Sequence, residues 1–114
     1  MTSPITTHIL DTARGCPAAA VAVHLEYLGT SGDWQDAGQG ETDSDGRCKS
    51  LMAKDALIAG TYRITFDTAG YYERLGESTF YPEVRICFSV ENTQEHYHVP
   101  LLLSPFGYST YRGS

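Results

Sequence analysis

Residues 21–27 read Val-Ala-Val-His-Leu-Glu-Tyr, and the alternation in this stretch decides the fold. Val21, Val23, Leu25 and Tyr27 fall on one side of an extended chain, with Ala22, His24 and Glu26 on the other, which is the two-residue period of a half-buried β-strand. The same period recurs on both sides. Upstream, Pro4 to Thr12 predicts a first strand, with Ile5, Thr7 and Ile9 on one face and Thr6, His8 and Leu10 on the other, and Arg14 to Pro17 then turns the chain. Downstream, Trp34 to Thr42, Thr61 to Asp67, Glu83 to Val90 and His96 to Leu103 repeat the pattern, and Tyr108 to Ser114 ends the chain as a last strand after a tight turn at Ser104 to Gly107.

Gly, Asp, Ser and Pro clusters separate these blocks. In Asp43-Ser44-Asp45-Gly46 the aspartates can bond their own backbone and the glycine accepts positive φ, which marks a turn. Thr68 to Glu77 breaks the alternation and sets Tyr72 and Leu75 three apart behind Asp67 or Thr68 as N-cap, so one short helix is expected there. The sum is an all-β sandwich: eight strands in two four-stranded sheets, one helix, and no parallel βαβ pattern. The last strand is short and follows a tight turn, so it is expected at a sheet edge, where pairing with a second copy would satisfy its backbone.

Composition narrows the class. The 114 residues suit a single domain spanning 1–114, and 41% hydrophobic with 19% charged content suits a packed core rather than disorder. Net charge is −6 and no two Lys or Arg residues adjoin, which argues against a nucleic-acid partner. No apolar run approaches the roughly 20 residues of a membrane span. Cys16, Cys48 and Cys87 form no CxxC pair, and an odd, scattered count argues against a secreted disulfide framework; a cytoplasmic location is expected.

The chemistry-bearing residues are scattered along the chain. His96 and His98 share a face of one strand, a spacing that can chelate zinc, but no third ligand is apparent and no HExxH occurs, so no metal and no cofactor is expected. GxSxG, GxGxxG and P-loop sequences are absent. What remains is His8, Arg47, His98 and the segment Tyr111-Arg112-Gly113-Ser114, with its ring, guanidinium, hinge and hydroxyl. Together these supply imidazoles that activate water near neutral pH, a fixed cation for a developing oxyanion, and hydroxyls to orient a heterocycle.

At these residues the sequence resembles a known family, the transthyretin-related proteins that act as 5-hydroxyisourate hydrolases in urate breakdown. The resemblance runs through Thr7-His8-Ile9-Leu10-Asp11-Thr12, Thr42-Asp43-Ser44-Asp45-Gly46-Arg47, Phe80-Tyr81-Pro82-Glu83-Val84, His96-Tyr97-His98-Val99-Pro100-Leu101-Leu102-Leu103-Ser104-Pro105 and the terminal Tyr111-Arg112-Gly113-Ser114. It implies a homotetramer, a dimer of dimers around a central channel, that hydrolyses the ring amide of 5-hydroxyisourate to 2-oxo-4-hydroxy-4-carboxy-5-ureidoimidazoline. His8, Arg47, His98 and Ser114 match the family's active-site positions, and Tyr111 belongs to the same terminal motif as Ser114. The mechanism expected from these groups has His8 and His98 position and deprotonate water, Arg47 bind substrate and steady charge, and Tyr111 and Ser114 hold the ring. His96 stands apart, since the family pattern rests on the second histidine of that strand.

Two other classes compete. A non-catalytic carrier of the transthyretin type would use the same channel for a small aromatic ligand, but it needs an apolar channel more than titratable groups. An immunoglobulin-like adhesion or carbohydrate-binding domain more often frames a core Trp with paired Cys, whereas Trp34 sits beside charged residues without that frame.

Overall fold

The computed structural model describes residues 3–114. Among them the chain forms β1 (Ile5–Asp11), β2 (Cys16–Pro17), β3 (Ala22–Leu28), β4 (Trp34–Glu41), β5 (Arg47–Cys48), β6 (Gly60–Phe66), α1 (Thr68–Leu75), β7 (Val84–Val90), β8 (Tyr97–Ser104) and β9 (Gly107–Thr110). One sheet runs β4-β3-β6-β7 and is antiparallel throughout. The other runs β2-β1-β8-β9, with β5 also paired to β1.

The two-sheet sandwich with a single helix is as expected, and its inward faces carry the alternating residues. Ile5 and Ile9 of β1, Val23 and Leu25 of β3, Tyr62, Ile64 and Phe66 of β6, Val84 and Val90 of β7, and Leu101 and Leu103 of β8 are buried together. Helix α1 starts where Asp67 Oδ1 accepts the Gly70 N–H at 3.1 Å, and it stops at Gly76, whose φ of 69° suits the left-handed cap.

The sheet count differs from two fours. The second sheet has five strands, because β2 and β5, each two residues long, share one edge of β1: β5 pairs at Thr7 and His8, β2 at Leu10 and Asp11. Such short pairings carry too little alternation to be seen in sequence. β1 and β8 pair in parallel, Thr6 opposite His98 and His8 opposite Pro100, a contact between distant parts of the chain that no local pattern encodes.

The final segment also differs. β9 stops at Thr110 rather than continuing through Ser114, and pairing resumes only at an isolated bridge between His98 and Gly113, in the same register. The interruption falls at Pro100, which has no N–H to offer the neighbouring strand. Its carbonyl is taken instead by Thr110 Oγ1 at 2.7 Å. β9 is the edge of its sheet, as the sequence suggested.

Candidate active site

Sheet register places the site before any side chain is considered. His8 lies on β1 between Arg47 of β5 and Pro100 of β8, and Thr6, two residues earlier on the same face, lies beside His98. Directly paired residues share a face, so His8, Arg47, Thr6 and His98 all project from the side of the sheet opposite Ile5 and Ile9.

Arg47 is set by the turn before it. Asp43 Oδ1 accepts the N–H groups of Asp45 at 2.9 Å and Arg47 at 3.0 Å, and these bonds, the one to Arg47 first, hold the Asp43 carboxyl below its usual range. Gly46 sits at φ 77°, and any Cβ there would meet the Ile9 carbonyl at 2.6 Å, so only glycine lets the turn dock on β1. Asp43 therefore engages the Arg47 backbone, and the guanidinium makes no ion pair with any described residue. His8 is steadied from the same turn, with Nε2 2.9 Å from the Asp45 carbonyl oxygen.

His98 is half-buried, and its Nδ1 lies 2.8 Å from Thr6 Oγ1. Burial pushes its pKa below the ordinary 6.5, and the charges of Arg47, His96 and His8 push in the same direction. The ring is thereby held neutral at physiological pH, with an unprotonated nitrogen available. Gly113 N–H donates to the His98 carbonyl at 2.8 Å, and a Cβ on Gly113 would lie 2.5 Å from His98 Cδ2. The chain end is clamped as well by Arg112, whose Nη2 donates to Glu95 Oε1 at 2.9 Å and whose guanidinium stacks 4.6 Å from the Tyr97 ring centre.

A cleft of about 170 Å³ results, lined by Thr6, Arg47, Lys49, His96, His98 and Ser114 among others. Three of the five predicted residues, Arg47, His98 and Ser114, thus meet there, and His8 adjoins them through its pairing with Arg47. Tyr111 does not line that cleft: it is 58% exposed and lines a neighbouring cavity of about 260 Å³ between β7 and β8, which His98 also borders. Thr6 and Lys49 also line the cleft, and no sequence motif marks either as a site residue. Thr6 was legible only as a neighbour of His8 on one strand face, and Lys49 only as a cation two residues beyond Arg47. His96 and His98 stack at 6.4 Å between ring centres, and what stands within hydrogen-bonding reach of both is the Thr6 hydroxyl.

The family model for the HIUase/Transthyretin family matches residues 5–113, which takes in every one of these elements. The chain belongs to that family. Among relatives, it is 52% identical to the "Uric acid degradation bifunctional protein TTL" of Arabidopsis thaliana over 97% of this chain, but it spans only 37% of that longer protein. It is 42% identical to the 5-hydroxyisourate hydrolase of Mus musculus, covering 98% of this chain and 96% of the mouse protein. The 5-hydroxyisourate hydrolase of Salmonella dublin is 48% identical over 96% of this chain and 80% of its own length. Among solved structures, sea bream transthyretin in complex with thyroxine superposes with a TM-score of 0.91 at 33% identity, over 96% of this chain and 94% of that one. HIUase/Transthyretin membership thus joins relatives named as hydrolases and a transthyretin seen with thyroxine on one sandwich, so the site residues must separate the two.

Proposed function

We propose that this chain hydrolyses 5-hydroxyisourate to 2-oxo-4-hydroxy-4-carboxy-5-ureidoimidazoline, as a step of urate breakdown. The observation that carries the reading is one polar cleft lined by His98, an imidazole whose pKa burial and the Arg47 charge push down, and by Arg47, whose guanidinium pairs with no described carboxylate. The full-length relatives named as hydrolases support it. His98, with His8 beside it, takes a proton from water as the water oxygen attacks the ring carbonyl carbon. Arg47 then faces the oxyanion, and collapse breaks the carbon–nitrogen bond as His98 returns its proton to the departing nitrogen, while the new carboxylic acid loses its proton to solvent as a carboxylate. Ser114 borders the cleft and orients the heterocycle.

Assembly completes the site in this reading. The cleft opens on the outer face of a sheet and is smaller than the roughly 300–1,000 Å³ of typical ligand pockets. A homotetramer, a dimer of dimers around a channel, supplies the missing wall, and Tyr111, exposed outside the cleft that Ser114 lines, then serves a neighbouring subunit. The exposed rings of Phe80 (70%) and Phe106 (74%) near the edge strand support such contacts. The three free cysteines fit a cytoplasmic location. Among the described residues no helix is long and apolar enough to cross a membrane.

The test generates 5-hydroxyisourate in situ and follows its decay with and without protein between about pH 5 and 8. The base must be neutral to act, so kcat/KM is expected to hold steady at neutral pH. It should fall as pH drops through a value below 6.5, because the pKa of His98 is lowered. A protein-dependent rate that is already falling from pH 8 to 7 would contradict the assignment of His98. A second expected result concerns Gly113. Gly113→Ala brings a methyl group against His98 Cδ2 and should reduce kcat by about 10- to 100-fold through misplacement of the ring. Circular dichroism and the melting curve should change little, and unaltered kcat would show that the close approach is dispensable.

A further inference from the structure

One hydroxyl touches both His96, just before β8, and His98 within it. Thr6 Oγ1 lies 2.8 Å from His98 Nδ1 and 3.0 Å from His96 Nε2, and Thr6 itself is 4% exposed. A hydroxyl carries one proton, so it cannot donate to both nitrogens, and when it donates to one it accepts from the other. The direction of that pair of bonds fixes the tautomer of His98. If Thr6 donates to His96, then His98 must carry its proton on Nδ1, and its Nε2 is a bare lone pair. If Thr6 donates to His98, Nε2 carries the proton and the ring cannot act as a base.

The surroundings select the first arrangement. His98 Nε2 has no hydrogen-bond partner among the described residues, and the cleft that the ring lines also holds the cationic side chains of Arg47 and Lys49. A positive field favours a lone pair on the nitrogen facing the cleft over an N–H dipole pointed into it. His96 is exposed, so its other ring nitrogen can be satisfied by solvent in either tautomer. The near-parallel stacking of the two rings, 20° between planes, keeps both nitrogens on the same hydroxyl.

We propose that Thr6 and His96 are positioning residues, which hold His98 in the Nδ1–H tautomer through the relay His98 Nδ1–H to Thr6 Oγ1–H to His96 Nε2. The proposal rests on the reading of His98 as the base that activates water. It gives His96 a task that does not require contact with substrate. No charge is relayed along the chain of bonds at rest; the relay sets only which nitrogen is bare, as an orienting partner does for other catalytic imidazoles.

Nitrogen-15 spectra of the intact protein at neutral pH test this directly, beside the rate of 5-hydroxyisourate decay. Wild-type His98 is expected to show a protonated Nδ1 and a bare Nε2. Thr6→Val, close in shape and lacking the hydroxyl, should shift His98 toward the Nε2–H tautomer and lower kcat by about 10- to 100-fold with KM little changed. Thr6→Ser restores the hydroxyl and should return both the tautomer and most of kcat, an outcome that a packing role for the Thr6 methyl does not produce. His96→Phe keeps a ring beside His98 but removes the acceptor, and should resemble Thr6→Val. A wild-type His98 protonated on Nε2, or a folded Thr6→Val with unchanged tautomer and kcat, overturns the relay. If the wild-type tautomer is as stated and Thr6→Val moves it, yet wild type does not accelerate substrate decay, the relay stands and the hydrolase reading falls.

Discussion

Arg47→Ala is expected to lower kcat/KM for 5-hydroxyisourate by about 100- to 1,000-fold, the usual cost of removing a fixed donor that faces a developing oxyanion. The side chain is exposed and makes no ion pair with a described residue, while β5 is held by backbone pairing to Thr7 and His8. Melting temperature and oligomer size should therefore change little. Loss of the guanidinium also removes a charge that lowers the His98 pKa. The acid limb of the residual activity should accordingly move to higher pH, toward the ordinary imidazole range. Arg47→Lys keeps the charge without the planar fork and should recover only part of the rate. Near-normal turnover in Arg47→Ala, with the acid limb unmoved, would sink the role given to this residue.

The largest effect on stability is expected at Asp11, a carboxylate with 0% exposure. Its Oδ1 accepts the N–H groups of Ala13 at 3.1 Å and Arg14 at 3.0 Å, and its Oδ2 accepts the Tyr71 hydroxyl at 2.7 Å. The carboxylate thus ties the end of β1 to the following turn and to helix α1. Burial, reinforced by the bond to Asp11, drives the Tyr71 pKa well above its normal value, so Tyr71 stays a donor at any working pH. Asp11→Ala leaves three donors facing a small void and should cost about 3–5 kcal/mol. Asp11→Asn retains an acceptor for the two backbone groups and should cost distinctly less. Urea unfolding measures both, and a loss under about 1 kcal/mol in Asp11→Ala would show that the donors find other partners. Activity of the folded Asp11→Asn protein should stay near wild type, because Asp11 lies on the core side of β1, away from His8.

Much of this was legible in the sequence because a strand alternates and a turn has its own chemistry. Val23, Leu25, Tyr62, Ile64 and Phe66 declared their inward faces by period alone, and Asp67 could be foreseen as the N-cap of the helix, whereas its stop at the left-handed Gly76 shows only in the structure. The strands β2 and β5 were not legible, since two residues carry no period. The parallel pairing of β1 with β8 was hidden for a different reason: it joins residues about ninety positions apart, and only that register sets Thr6 beside His98. The site residues were recognisable through their motifs. Their geometry was not, and Tyr111 shows the difference, standing in the right motif yet outside the cleft that holds Ser114. The role of Asp43 was half visible: its turn could be foreseen, but its carboxylate serves the Arg47 backbone rather than the guanidinium.

Hydrolysis by way of His98 is tested by comparing wild type with His98→Gln on freshly generated 5-hydroxyisourate, spontaneous decay subtracted, with folding and oligomer size checked on the same samples. Wild type is expected to give rapid protein-dependent loss of substrate, and His98→Gln a drop of about 100-fold or more, the scale of a lost general base. Decay at the spontaneous rate in the presence of wild type, or equal acceleration by the two proteins, would contradict it.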